Sequence, residues 1–136
     1  MGTSEVSFRG REFSAPDPAL DVWFKLLVDA IDAMATRPEW LNEIRDDWYI
    51  QATEELGFGH VPALDSHLTD DDRVAWVLTL AKQAYQRLEG FGDPISAKTL
   101  SSLGAGKSGF DRDVPAKAFR DAALSFIALL ENRADS

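Results

Sequence analysis

The sequence predicts an all-α protein: a single-domain bundle of about five helices behind a short extended N-terminal arm or hairpin. Three observations predict it. Apolar residues recur at helical spacing through several long segments. Asp and Pro stand together where helices would open, at Asp17-Pro18, Asp93-Pro94 and Asp113-Val114-Pro115. Extended-type alternation is confined to the first residues. The chain has 136 residues, close to the commonest domain size, and its 45% hydrophobic content includes four Trp and eight Phe to build a core. No Pro- or Ser-rich linker divides it, and no internal repeat is visible.

Residues 1–15 hold Val6-Ser7-Phe8 and Arg11-Glu12-Phe13 around Arg9-Gly10. An arm that packs Phe8 and Phe13 on the body is the favoured reading over a hairpin, because an isolated two-stranded hairpin is marginal in water. The first helix is expected over 17–35. Asp17 would cap it and Pro18 would sit in its first turn, where a missing N–H costs nothing. Leu20, Phe24, Leu27, Val28, Ile31 and Met34 make its apolar stripe, with Asp21, Lys25, Asp29 and Asp32 on the other face. The second helix is expected over 39–56, ending at Gly57, with Leu41, Ile44, Trp48, Ala52 and Leu56 inward. A loop follows to Leu68. The third helix, 70–89, opens on Thr69 or Asp70 as cap with acids in its first turn, where the helix dipole favours them. Its stripe is Val74, Val77, Leu78, Ala81, Tyr85 and Leu88. Trp76 and Leu80 widen that stripe, which would make this helix central. A short fourth helix, 94–103, and a last one, 114–132, complete the bundle.

Composition narrows the functions. There are 23 Asp plus Glu against 14 Lys plus Arg, a formal charge of −9. A nucleic-acid binder needs basic side chains to replace phosphate counterions, so nucleic acid is an unexpected partner, as is an anionic membrane surface. The absence of Cys excludes thiolate catalysis and Cys-based zinc sites. No leader pattern or apolar run of membrane length appears in the sequence, so a cytoplasmic protein is expected.

No catalytic, cofactor or metal set is convincing. Gly104-Ala105-Gly106-Lys107-Ser108-Gly109 looks like the end of a phosphate loop. The motif needs Gly where Ser101 stands, and it needs a preceding strand. His60 and His67 lie near Asp65 and Asp70-Asp71-Asp72, but their spacing does not set two ligands on one helix face. Adjacent acids such as Asp46-Asp47 and Glu54-Glu55 point about 100° apart on a helix and do not converge. What remains is a run of acids from Glu39 to Asp72 in which Arg45 is the one Lys or Arg. Such a surface would draw a basic protein and select it by charge. The candidate contacts are Asp46, Asp47, Glu54, Glu55, Asp70, Asp71 and Asp72, with Trp40 as apolar anchor. Trp23, beside the main stripe of its helix, is a second candidate for exposure, and Trp48 and Trp76 read as core.

In size, charge and composition the whole chain resembles the bacterial immunity proteins of contact-dependent growth inhibition and other polymorphic toxin systems. The resemblance implies a non-catalytic protein, monomeric alone and without cofactors. It would bind one cognate toxin domain, typically basic and often a nuclease. Two other expectations stand beside it. One is a small enzyme or ligand-binding domain with a pocket lined by His60, His67 and Asp65. The other is a regulator that self-associates through Trp23 or Trp40.

Overall fold

A computed structural model of the chain describes residues 2–53, 60, 62–105 and 110–131. The N-terminal segment forms a hairpin, not an arm. β1 (Thr3–Phe8) pairs antiparallel with β2 (Arg11–Pro16), with Phe8 opposite Arg11, Val6 opposite Phe13 and Ser4 opposite Ala15. Arg9 and Gly10 both have positive φ, 52° and 81°, which gives a two-residue turn whose twist matches that of the strands. The hairpin does not stand alone. Val6, Phe8 and Ala15 are buried and the sheet packs on the helices, which removes the reason for preferring an arm.

The remainder is mostly helical, with α1 (Asp17–Asp32), α2 (Glu39–Thr53), α3 (Leu64–His67), α4 (Asp71–Glu89), α5 (Ala97–Ser102) and α6 (Lys117–Glu131). The expected end of the second helix at residue 56 lies outside the described residues. The four-residue α3 was not anticipated. The central helix is α1 rather than α4. It packs against α2, α4, α6 and β2, and it buries Leu20, Val22, Trp23, Phe24, Leu27, Val28 and Ile31 among others. A helix surrounded on most sides is apolar around most of its circumference. That is why Trp23, off the main stripe, is only 1% exposed and offers no surface for self-association.

Arg side chains fix the α1–α2 corner. Arg45 on α2 forks onto both carboxylate oxygens of Asp32 at 3.0 and 3.1 Å, and Arg37 donates to the Ile31 carbonyl near the end of α1. The hydrogen bond from Arg45, stronger than the opposing effect of partial burial, holds the Asp32 carboxyl below its ordinary pKa. No helix among the described residues is long and apolar enough to cross a membrane.

The last two helices begin later than the Asp-Pro signals indicate. Asp93-Pro94 is a cis peptide, Ile95 forms a β-bridge with Val114, and Ser96 caps α5 by accepting the Thr99 N–H. Asp113 accepts the N–H of Ala97 at the start of α5 (2.8 Å). Asp93 accepts the N–H of Ala116 just before α6 (3.0 Å). Each aspartate thus serves the start of the other helix. Asp93→Ala and Asp113→Ala are each expected to lower stability by about 1 kcal/mol, the usual size of a lost helix-start hydrogen bond. The double variant should show less than the sum, because both bonds close the same neck. Urea denaturation of the three variants measures it.

Candidate functional site

The two histidines have separate, inward-facing partners. His60 is 8% exposed, and its ring stacks on Phe24 with centroids 6.1 Å apart. Its Nδ1 lies 3.2 Å from Asp17 Oδ1 and its Nε2 lies 2.7 Å from Asp21 Oδ1. Asp17 and Asp21 are one turn apart on α1, so their carboxylates share a side of the helix. Asp17 is therefore not the cap expected from the sequence: it is the first helical residue, and its carboxylate faces Ser4 and His60. Ser4 donates its hydroxyl to Asp17 and accepts the His60 backbone N–H. Burial alone would lower the His60 pKa. Hydrogen bonds and charge from Asp21, and then from Asp17, together outweigh it and raise the pKa above the ordinary histidine value.

That geometry pins the fold and offers little chemistry. Each ring nitrogen already has a carboxylate partner, so neither is open to take a substrate proton. The Ser4 hydroxyl donates to Asp17 and not to the imidazole, so His60 does not activate it as a nucleophile. His67 bonds through Nε2 to Asp47 Oδ2 at 2.8 Å, and Asp47 also accepts from Gln51. His60 and Asp65 border an open concavity of about 410 Å³ beside β1, but His67 is turned away to Asp47. The pocket expected from all three residues is not assembled. Among the described residues no three His, Asp or Glu side chains converge as metal ligands. The Gly104 loop follows helix α5 rather than a strand, and its residues 106–109 lie outside the described residues.

The acidic run divides into three groups. Asp70 is the α4 cap, accepting the Arg73 N–H at 2.9 Å. Asp47 is committed to His67. Of the rest, Glu39, Glu43, Asp46, Asp71 and Asp72 are exposed, Asp46 beside Arg45 and Asp71 in an ion pair with Arg9 at 3.1 Å, while Asp65 accepts the Arg9 N–H. Glu54 and Glu55 lie outside the described residues.

An aromatic pair joins the two helices that carry these acids. Trp40, partly buried at the start of α2, meets Trp76 of α4 edge-on, with ring centroids 6.4 Å apart and planes at 87°. The Arg73 guanidinium lies 4.9 Å over the Trp40 ring and donates to the His67 carbonyl. Trp76 is 40% exposed, which corrects its reading as core. Asp72, Ala75, Trp76 and Thr79 follow at i, i+3, i+4 and i+7, so they share one outward stripe. Ala75 and Thr79 are small, which leaves a shallow hollow of about 340 Å³ against the Trp76 ring. Glu39 and Glu43 flank Trp40 on α2. The pattern carried only a weak signal for Trp76: it lies about 40° outside Leu80, the nearest edge of the buried set Val74, Val77, Leu80, Ala81, Ala84 and Leu88. Comparison with protein-family models, with curated proteins and with solved structures finds no match to this chain.

Proposed function

We propose that this protein is a non-catalytic binding module that docks on a basic protein through the α2–α4 face. The best candidate partner is the toxin domain that an immunity protein covers. The observation that carries the reading is Trp76: a large ring, 40% exposed, braced by Trp40, with exposed Asp72 one turn before it on α4 and exposed Glu39 and Glu43 beside Trp40 on α2. Trp anchors ringed by charge concentrate binding energy at the centre of an interface and steer the encounter at its rim. The net charge of −9 gives the steering its sign.

The test is retention of a partner from native cells at low and moderate salt, followed by kinetics on the partner found. Trp76→Ala should speed dissociation about thirtyfold, a loss near 2 kcal/mol. Changing Glu39, Glu43, Asp71 and Asp72 together to Lys should instead slow association, with most of the effect gone at high salt. Asp70 and Asp47 are left unchanged because both hold the fold. Unaltered binding by both variants would end the proposal.

A further inference from the structure

Two aromatic side chains among the described residues are exposed, Tyr49 at 39% and Trp76 at 40%. Their surroundings differ. The Arg45 guanidinium lies over the Tyr49 ring, 4.8 Å from its centroid. The partly buried Trp40 and Phe91 are covered in the same way, by Arg73 at 4.9 Å and Arg87 at 5.8 Å. Trp76 meets the Trp40 ring edge-on, and among the described residues no cation lies over it.

The nearest cations on α4 are engaged elsewhere. Arg73, three residues before Trp76, lies on Trp40 and donates to the His67 carbonyl. Lys82, three residues after Thr79, pairs with Glu131 at 3.0 Å. The acid of this stripe is in the opposite position: Asp72 is exposed and, among the described residues, has no ion pair.

The hollow beside the ring offers mainly acceptors. Its volume of about 340 Å³ is lined by Ala75, Trp76 and Thr79. Thr79 Oγ1 donates its proton to the Ala75 carbonyl at 3.1 Å, so what the hydroxyl keeps for a ligand is a lone pair. The face of an indole ring is the negative side of its quadrupole. Asp72 stands one turn before both Ala75 and Trp76, near enough for one group to touch the ring and the carboxylate together.

We propose that this hollow seats an arginine side chain of the basic partner, with the guanidinium flat on Trp76 and its edge turned to Asp72. The inference rests on the α2–α4 reading and adds what fills the centre of that face. Charge complementarity selects a cation, since the net charge is −9 and the one acid of the stripe is unpaired. A guanidinium fits better than an ammonium. It is planar and weakly hydrated, and it can stack on a ring while its edge N–H groups still donate. The chain makes the same arrangement within itself, where Arg73 covers Trp40 and donates sideways to a carbonyl. An apolar side chain would cover the ring but give the Thr79 oxygen and the Asp72 carboxylate no donor.

The test uses the full chain and a capped pentapeptide, Gly-Ser-X-Ser-Gly, with arginine, lysine or citrulline at X. Citrulline keeps the planar, donating end group and removes the charge. NMR titration at low salt follows the Trp76 indole N–H and the Ala75 and Thr79 amides. Arginine should move all three on one common curve. It should bind about tenfold more tightly than citrulline and about threefold more tightly than lysine. Ala75→Leu fills the hollow with a good helix former at an exposed position, so the fold is kept while arginine binding falls at least about tenfold. Asp72→Asn should weaken it about threefold and flatten its salt dependence. The proposal is overturned by equal binding of citrulline and arginine, by arginine shifts that survive Ala75→Leu, or by no shift at these three signals. Its failure is distinguishable from failure of the docking reading. If arginine leaves Trp76 unmoved while Trp76→Ala still speeds release of the partner, an apolar side chain fills the hollow and only this inference falls. If partner kinetics ignore Trp76, the docking reading falls, and with it the seat for a partner's arginine.

Discussion

Trp48→Ala is expected to remove about 4 kcal/mol of stability and to lower the melting temperature by more than about 10 °C. Trp48 is fully buried. Its ring lies 5.3 Å from Phe24 and 6.0 Å from Phe126, so one side chain on α2 joins α1 to α6. Truncation leaves a cavity among aromatic rings that cannot collapse without moving three helices. It also strands a carbonyl, because the indole Nε1–H donates to Pro62 O at 3.1 Å. Trp48→Phe separates the two losses. It keeps most of the volume and should cost only about 1–2 kcal/mol, the value of the missing hydrogen bond with a little packing. Thermal and urea denaturation followed by circular dichroism would measure both. A small shift for the Ala variant would mean that these rings do not organise the core.

His60→Gln should cost about 3 kcal/mol near pH 6, and the penalty should shrink as pH rises through the raised folded pKa. Removing the cation leaves Asp17 and Asp21 facing each other beside a buried Phe24 ring. The lower end of the range for breaking a buried pair applies, because the two carboxylates are 28% and 22% exposed and stay partly hydrated. The His60 pKa is raised in the folded protein. The folded state therefore holds the proton more tightly than the unfolded one. The stabilisation is fully present below the unfolded value, near 6.5, and it is lost as pH rises through the higher folded value. Wild-type stability should fall across that window, while the variant, lacking the titrating group, should be flat there by comparison. Parallel curves would show that His60 is neutral in the folded protein and that the clamp is not ionic.

How much of this was legible depends on whether a signal is local. The helices α1, α2, α4 and α6 were readable because each carries a stripe long enough to fix its phase. The acids of the α4 first turn were readable because a cap depends only on neighbours in sequence. The clamp of His60 was not. Its partners, Asp17 and Asp21, stand 43 and 39 residues away, and Asp21 looked like any solvent-facing helix acid. Asp47 was misjudged for the same reason, since only the third dimension shows that His67 takes it. Asp93 and Asp113 were expected to cap the helices they precede, but Ser96 caps α5, and each aspartate instead accepts an N–H at the start of the other helix, because propensity identifies a willing acceptor and not its donor. Trp23 and Trp76 exchanged roles because the apolar stripe of a helix was assumed to have one width, whereas α1 is enclosed on most sides and α4 is open along one.

The exchanged aspartates also divide the molecule in time. Ile95 and Val114 donate to each other's carbonyls at 2.8 and 2.9 Å, and the crossed Asp93 and Asp113 bonds flank that pair. The lobe between them also packs inward: Leu100, Leu103 and Ala105 are buried in the core, and Phe110 meets the Phe119 ring edge-on. The neck of the lobe opens all at once or not at all, because loosening one bond leaves the other three holding the same gap. The amides of Ile95, Ala97, Val114 and Ala116 should therefore exchange with solvent at one common rate, a slow clock for that neck set apart from the clocks of α1 and α4.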